Sequence, residues 1–167
     1  MVIKAKNEKR DKQTQTGLER VQPAAEVKHK GKVVRITKVK PFPVQYPTGE
    51  YVSRMLIDVY NSGSEKLQVN HGLLKPGCGV PGGDHGPHDE IYIAFNGQAL
   101  LNLDYKDYII QRGDIVFIPA HTFHSVKNLS KTEDFEFITV WPGQPAPGGN
   151  DIYEMRQRQW GTTYLEV

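Results

Sequence analysis

The stretch from Gly82 to Glu90 concentrates residue types that bind metal ions. It reads Gly-Gly-Asp-His-Gly-Pro-His-Asp-Glu, so that His85, His88 and Glu90 lie within six positions. Imidazole nitrogen and carboxylate oxygen together suit Zn, Mn, Fe, Ni or Cu, and the absence of thiolate excludes a structural zinc finger. The stretch therefore predicts one divalent metal ion as cofactor, with its identity left open.

A second patch of histidines follows about thirty residues later, in Pro119-Ala120-His121-Thr122-Phe123-His124. His124 can complete a site with Glu90 only where the fold brings the two segments together. A carboxylate that faces a protein interior is costly unless it is paired or binds a cation. We therefore predict His85, His88, Glu90 and His124 as metal ligands, with His85 and His88 as alternatives, and interpret His29 and His71 as ordinary hydrogen-bonded histidines.

Short alternating segments separated by Gly, Pro and Asn turns predict about nine or ten strands and hence an all-β sandwich or barrel. The segments are 33–37, 54–60, 67–74, 90–95, 98–103, 108–110, 114–118, 124–127 and 135–141. Because side chains alternate along a strand, His88, Glu90 and Tyr92 are expected on one face. Residues 104–107 predict a hairpin turn.

The ends of the chain differ from this β pattern. Residues 1–32 carry nine basic and four acidic side chains, a net charge of +5, whereas the remainder is −3. We predict a basic arm at 1–32, a barrel at 33–145, and a turn with a short helix at 146–167. The helix is expected from Asp151 to Trp160, with Asn150 as its N-cap and Gly161 as its stop.

Composition limits the compartment and the partners. The single cysteine, Cys78, cannot form an internal disulfide, which favours a reducing cytoplasm. The N-terminus shows no apolar signal region and no stretch is long enough to span a bilayer, so a soluble, unsecreted protein is expected. The basic arm has no interleaved aromatic residues or recognised motif, and we predict neither nucleic acid nor membrane as a partner.

The two histidine patches resemble the two sequence motifs of the cupin superfamily in order and spacing. In the first, Glu90 is followed by Gly97 after seven positions, and Pro76-Gly77 occupies the place of the preceding turn. The second is similar in Gly113, Pro119, His124 and Asn128, with His121 where the family has a second glycine. The resemblance covers roughly residues 65–141 and implies a small single-barrel cupin with a metal at its mouth.

One ligand of the family pattern is missing. His85 falls on the second histidine of the first motif, and Gly83 takes the place of the first. His88, a shifted His121 or water can fill that position. Three protein ligands with open positions is also the arrangement of catalytic metal sites.

The resemblance implies several functions. We expect an enzyme whose metal acts as Lewis acid on a small oxygenated molecule (a sugar, carboxylate or polyketide-like compound), of the isomerase, lyase or cyclase type. Its general base would be His88 or His121, and Tyr92 is a weaker candidate acid. A cupin-type dioxygenase and a non-catalytic small-molecule-binding cupin are the alternatives. A homodimer is expected, formed by residues 20–60 and the helix near Ile152.

Overall fold

The structure is a computed structural model and describes residues 31–142 and 151–167. It contains ten strands within those ranges, and their bounds are β1 Phe42–Tyr46, β2 Gly49–Ile57, β3 Leu67–Leu74, β4 Gly79–Gly83, β5 Glu90–Asn96, β6 Gln98–Leu103, β7 Lys106–Gln111, β8 Ile115–Ile118, β9 His124–Asn128 and β10 Phe135–Pro142. A 3₁₀ turn covers Ile36–Lys38, and the two helices are α1 Val59–Ser62 and α2 Asp151–Trp160. The all-β prediction is confirmed.

The strands form two antiparallel sheets. The larger has the order β1-β2-β3-β10-β5-β8 and the smaller the order β4-β9-β6-β7. Alternate residues point inwards along β5, where Glu90, Tyr92 and Ala94 are buried while Ile91 and Ile93 are partly exposed. Buried apolar residues from both sheets form one core cluster. Sheet packing of this kind removes the inner side chains from water, which is the main driving force for the fold.

Several predicted elements have the predicted bounds. The strands at 67–74 and 98–103 and the helix at 151–160 match residue for residue. Gly161 follows the helix in the left-handed region (φ 69°) and its N–H donates to the Gln157 carbonyl oxygen, as a C-terminal glycine does. The predicted N-cap, Asn150, lies outside the described residues.

Two strand predictions were wrong, one wholly and one in part. Residues 33–37 form no strand and have no strand partner among the described residues: Val33 is 90% exposed and the nearest β-bridge joins Val39 to Glu166. The segment 54–60 ends as a strand at Ile57. Asp58 accepts hydrogen bonds from the Tyr60 and Asn61 backbone N–H groups and starts α1, which overrides the β propensity of the residues that follow.

Two strands were missed because of their Pro and Gly residues. The strand β1 contains Pro43 and β4 contains Pro81 with three glycines. Both are edge strands, where a missing N–H donor is tolerated. The predicted hairpin turn is confirmed and shorter: Asp104 and Tyr105 alone join β6 to β7, both with positive φ, as a two-residue hairpin loop requires.

Most of the predicted basic arm lies outside the described residues, because the structure describes the chain from residue 31 onwards. The arm and the predicted domain bounds therefore stay predictions. Neither described helix has the length and apolar character needed to cross a lipid bilayer.

Candidate metal centre

Glu90 is held in the interior by its place in the sheet. It is the first residue of β5, pairs with Ile118 of β8, and has a side chain only 4% exposed. The alternation that buries Tyr92 and Ala94 turns Glu90 inwards as well. A carboxylate in that position requires a compensating positive charge.

His85 approaches Glu90 from the loop between β4 and β5. Two hydrogen bonds from backbone N–H groups tie this loop to the segment before β9: the His121 N–H donates to the Gly86 carbonyl oxygen (2.7 Å), and the Ala120 N–H donates to the side-chain Asp89 Oδ1 (2.9 Å). The His85 side chain is 44% exposed. The two histidine patches are therefore joined by their backbones as well as by their side chains.

His124 completes the cluster as the first residue of β9. Its Nδ1 lies 3.0 Å from the Thr122 carbonyl oxygen, which can only accept, so that Nδ1 carries the hydrogen. In the neutral ring Nε2 then presents a lone pair. A backbone carbonyl that fixes the far nitrogen in this way is the usual partner of a metal-binding histidine.

The two imidazoles converge on one carboxylate oxygen. Nε2 of His85 lies 3.1 Å and Nε2 of His124 lies 3.4 Å from Glu90 Oε2. All three ligand atoms lie within 4.8 Å of one another. Oε2 is nevertheless buried without a hydrogen bond from any described residue. A lone pair on His124 Nε2, the Nε2 atom of His85 and a buried carboxylate oxygen that converge in this way fit a divalent cation.

The electrostatics of Glu90 agree with this interpretation. Burial raises the pKa of Glu90, but His124 and His85 outweigh it and bring that pKa below its ordinary value. The Glu90 carboxylate in turn raises the pKa of His85 against the effect of burial. Glu90 is therefore held as a carboxylate, the form that binds a metal.

The other predicted site residues lie around this cluster. Tyr92 is buried edge-on against His124, with ring centroids 5.8 Å apart, and burial raises its pKa well above 10. His88 is partly buried in the loop before β5, and His121 is exposed with a φ of 59°. Neither His88 nor His121 belongs to the set of converging ligand atoms. Their predicted roles stay predictions.

The position of the missing ligand is open. Gly83 pairs with His124 across β4 and β9, where the family motif has a histidine. A Cβ atom built at Gly83 would meet no atom within 4 Å. The residues present could therefore supply three ligands, with open space at the place of the fourth.

A cavity of about 300 Å³ opens from the cluster into the barrel. Its lining includes His85, Glu90 and Tyr92 at one end and Thr139 and Arg156 elsewhere. A volume of this size suits a small molecule.

Sequence reasoning missed Thr139 and Arg156. One signal was available: Ile152, Arg156 and Trp160 are four residues apart, so a charged residue interrupts the apolar stripe of α2.

The sequence profile described as "Cupin domain" matches residues 70–141. An oxalate-binding protein of Thermotoga maritima is 34% identical over 67 residues, which are 40% of this chain and 54% of that protein. The chain spans between a third and about half the length of the curated relatives that it matches.

Solved structures show the same fold. A predicted oxalate decarboxylase from Thermotoga maritima superposes with a TM-score of 0.61 at 26% identity, over 68% of this chain and 100% of that one. The polyketide cyclase RemF from Streptomyces resistomycificus superposes with a TM-score of 0.63 at 22% identity, over 71% and 83% of the two chains. The profile match over residues 70–141, the two-sheet barrel and these neighbours together show that the chain has the cupin fold.

Proposed function

We propose that the protein binds one divalent metal ion through His85, Glu90 and His124 and acts on a small oxygenated molecule in the adjoining cavity. The observation that carries the proposal is the buried, unpartnered Glu90 Oε2 with two imidazole Nε2 atoms beside it. When bound, the metal would supply Lewis-acid chemistry of the isomerase, lyase or cyclase type. The named cyclase and decarboxylase neighbours support that class.

The residues of the chain would divide the remaining work. His124 is oriented by the Thr122 carbonyl oxygen, and Glu90 by its place at the start of β5. The space beside Gly83 leaves room for a ligand at the cluster. His88 and His121, which lie outside the set of converging atoms, are proposed to carry protons rather than metal, with Tyr92 as a second candidate for that role.

Elemental analysis of the purified protein beside its Glu90→Gln and His124→Ala variants tests the site. We expect about one equivalent of Fe, Mn, Ni or Zn in the wild type and less than about a tenth of that in either variant, since each removes a direct ligand. Glu136→Gln is the matched control, because Glu136 also contacts a histidine but lies outside the cluster. Equal metal content in the wild type and Glu90→Gln would overturn the proposal.

The same measurement separates ligands from proton carriers. His88→Gln and His121→Gln are expected to keep the full equivalent of metal. If His88→Gln lost the metal, His88 would be a ligand and the prediction that it fills the missing position would stand.

Non-catalytic binding is the second candidate, and the similarity to an oxalate-binding protein favours it. A cytoplasmic homodimer is proposed for either function. A panel of hydroxy acids, sugars and enols, incubated with the metal-loaded protein, decides between the enzyme and the non-catalytic binding protein. Product formation that Glu90→Gln abolishes supports the enzyme, whereas saturable binding without any product supports the binding protein.

A further inference from the structure

The far end of the cavity contains a buried cation. Arg156, in the middle of α2, is 2% exposed, and its guanidinium group lies over the Phe42 ring with its carbon 5.6 Å from the centroid. Nη2 donates to Ser53 Oγ and to Asn70 Oδ1, the latter at 3.1 Å. These partners are neutral, so they fix the position of the guanidinium without balancing its charge.

Arg156 has no counter-ion among the described residues. No described carboxylate oxygen lies within 4.0 Å of it. The Asp58 carboxylate acts on it from a distance, while its own oxygens accept hydrogen bonds from Thr163 and from the start of α1. Burial lowers the pKa of Arg156 to about 10, which still leaves a cation at neutral pH. A buried cation of this kind is costly unless an anion joins it.

The same region holds further unpartnered polar atoms. Five buried side-chain atoms in the described ranges lack a hydrogen bond, and three of them belong to residues that line this one cavity: Glu90 Oε2, Thr139 Oγ1 and Arg156 Nε. Buried polar groups in native proteins are nearly always paired. Three exceptions around one cavity indicate a ligand that pairs them.

The sheet register places these groups in order. Thr139 on β10 pairs with Asn70 on β3 and with Tyr92 on β5. Asn70 holds Arg156, and Tyr92 lies two residues from Glu90. Two strand spacings across the sheet and two residues along β5, about 12 Å between the backbones, therefore separate the arginine end from the metal end, with Thr139 on the strand between them.

We propose that the arginine end, Arg156 with Thr139, binds a carboxylate group of the ligand, whose other end meets the metal cluster. The metal half of this inference rests on the proposed function. One uncompensated guanidinium matches one carboxylate, and its planar N–H groups suit a planar anion. A phosphate at neutral pH would bring up to twice the charge to a single cation. The ligand class is thus a small acid with a metal-binding group several atoms from its carboxylate.

Paired probes test the wild-type protein without any substitution. Isothermal titration of the metal-loaded protein compares malate, 2-hydroxyglutarate and 2-hydroxyadipate with the 2-hydroxy monoacid of the same chain length. Both members of a pair share the chelating end, and only one has the distal carboxylate. At one chain length or more, we expect the diacid to bind at least about tenfold more tightly. Equal affinities at all three lengths would overturn the inference.

Variants assign the preference to the arginine end. Arg156→Met keeps the length of the side chain without the charge and is expected to abolish the diacid preference while leaving monoacid affinity unchanged. Thr139→Val, nearly identical in shape, is expected to reduce the preference severalfold and serves if Arg156→Met does not fold. Persistence of the full preference in either folded variant would contradict the assignment. Tighter binding of 2-hydroxy-4-phosphonobutyrate than of 2-hydroxyglutarate would overturn the choice of carboxylate.

A metal-free arm separates this inference from the proposed function. Pentanoate and pentanamide have no chelating end, and we expect only pentanoate to bind the metal-free protein, in a manner that requires Arg156. Pentanoate binding without metal uptake by the protein would refute the proposed function and support the carboxylate site. Metal uptake with no pentanoate binding and no diacid preference would support the metal site of the proposed function and refute the carboxylate site.

Discussion

Two glutamates of this protein lie close to histidine, and their surroundings lead to opposite conclusions. Glu136 Oε2 lies 2.9 Å from His71 Nε2, almost the distance between Glu90 Oε2 and His85 Nε2. At Glu136 each polar atom has a partner, since Oε1 accepts a hydrogen bond from Asn96. At Glu90 two histidines face one oxygen that accepts no hydrogen bond from the described residues.

The difference originates on the far side of each imidazole. His71 Nδ1 lies 3.2 Å from Arg54 Nη1, and a guanidinium can only donate, so Nδ1 accepts and Nε2 carries the hydrogen towards Glu136. His124 Nδ1 instead donates to the Thr122 carbonyl oxygen, which leaves Nε2 with a lone pair. The group behind the ring thus distinguishes the hydrogen-bond donor His71 from the proposed metal ligand His124.

Thermal unfolding should show the largest contrast between the two glutamates. At a metal concentration one hundred times the dissociation constant, binding to the folded state adds about 2.7 kcal/mol, or about 5–10 °C in Tm for a chain of this size. We expect this increase in the wild type and in Glu136→Gln, and none in Glu90→Gln. Differential scanning fluorimetry with and without added metal measures it. A metal-dependent increase in Glu90→Gln as large as in the wild type would remove the distinction.

A smaller contrast comes from replacing one histidine of each group. His71 is 1% exposed, and His71→Ala should lower the free energy of unfolding by about 2 kcal/mol, because it opens a cavity and removes a buried hydrogen bond. His85 is 44% exposed, and His85→Ala should change the stability of the metal-free protein by about 0.5 kcal/mol or less. Urea denaturation measures both.

Metal affinity should respond in the opposite way to the same two changes. His85→Ala removes a proposed ligand and should weaken binding at least about tenfold, since even groups that only orient a ligand contribute that much. His71→Ala should leave the affinity unchanged. Competition with a chromogenic chelator measures the constants, and an unchanged affinity in His85→Ala would remove His85 from the site.

Sequence reasoning succeeded where local pattern determines structure. Strands such as Glu90–Asn96 alternate in burial along their length and have neighbours on both sides in the sheet. It failed at the edge strands β1 and β4, which contain proline, and at residues 33–37, whose β propensity has no partner strand among the described residues. Pairing is a property of the whole sheet, so a segment cannot reveal it alone.

In the candidate site, too, some residues could be predicted from local pattern and others depend on the tertiary structure. Motif spacing selected His85, Glu90 and His124, and the structure brings them together. Strand alternation also favoured His88, but β5 begins at Glu90, so alternation does not govern the loop before it. Arg156 reaches the cavity through the packing of α2 on the barrel, which the sequence shows only as an interrupted apolar stripe. The cation at the far end of the cavity therefore required the tertiary structure.

The smallest expected effect is the pH dependence that His71 adds to stability. Burial lowers the pKa of His71 below the ordinary 6.5, and the Arg54 charge lowers it further against the opposing effect of Glu136. The unfolded chain therefore takes up this proton first, so stability is fully present above about pH 6.5 and decreases as the pH falls from there through the folded-state pKa.

His71→Gln isolates this contribution, because an amide can accept from Arg54 and donate to Glu136 without titrating. Urea denaturation from pH 8 to pH 5 should show a shallower loss of stability in His71→Gln than in the wild type. All other groups are the same in the two proteins, so the difference between the curves belongs to His71. Parallel curves would mean that His71 accepts a proton in the folded state as readily as in water, and the tautomer assigned from Arg54 would then be wrong.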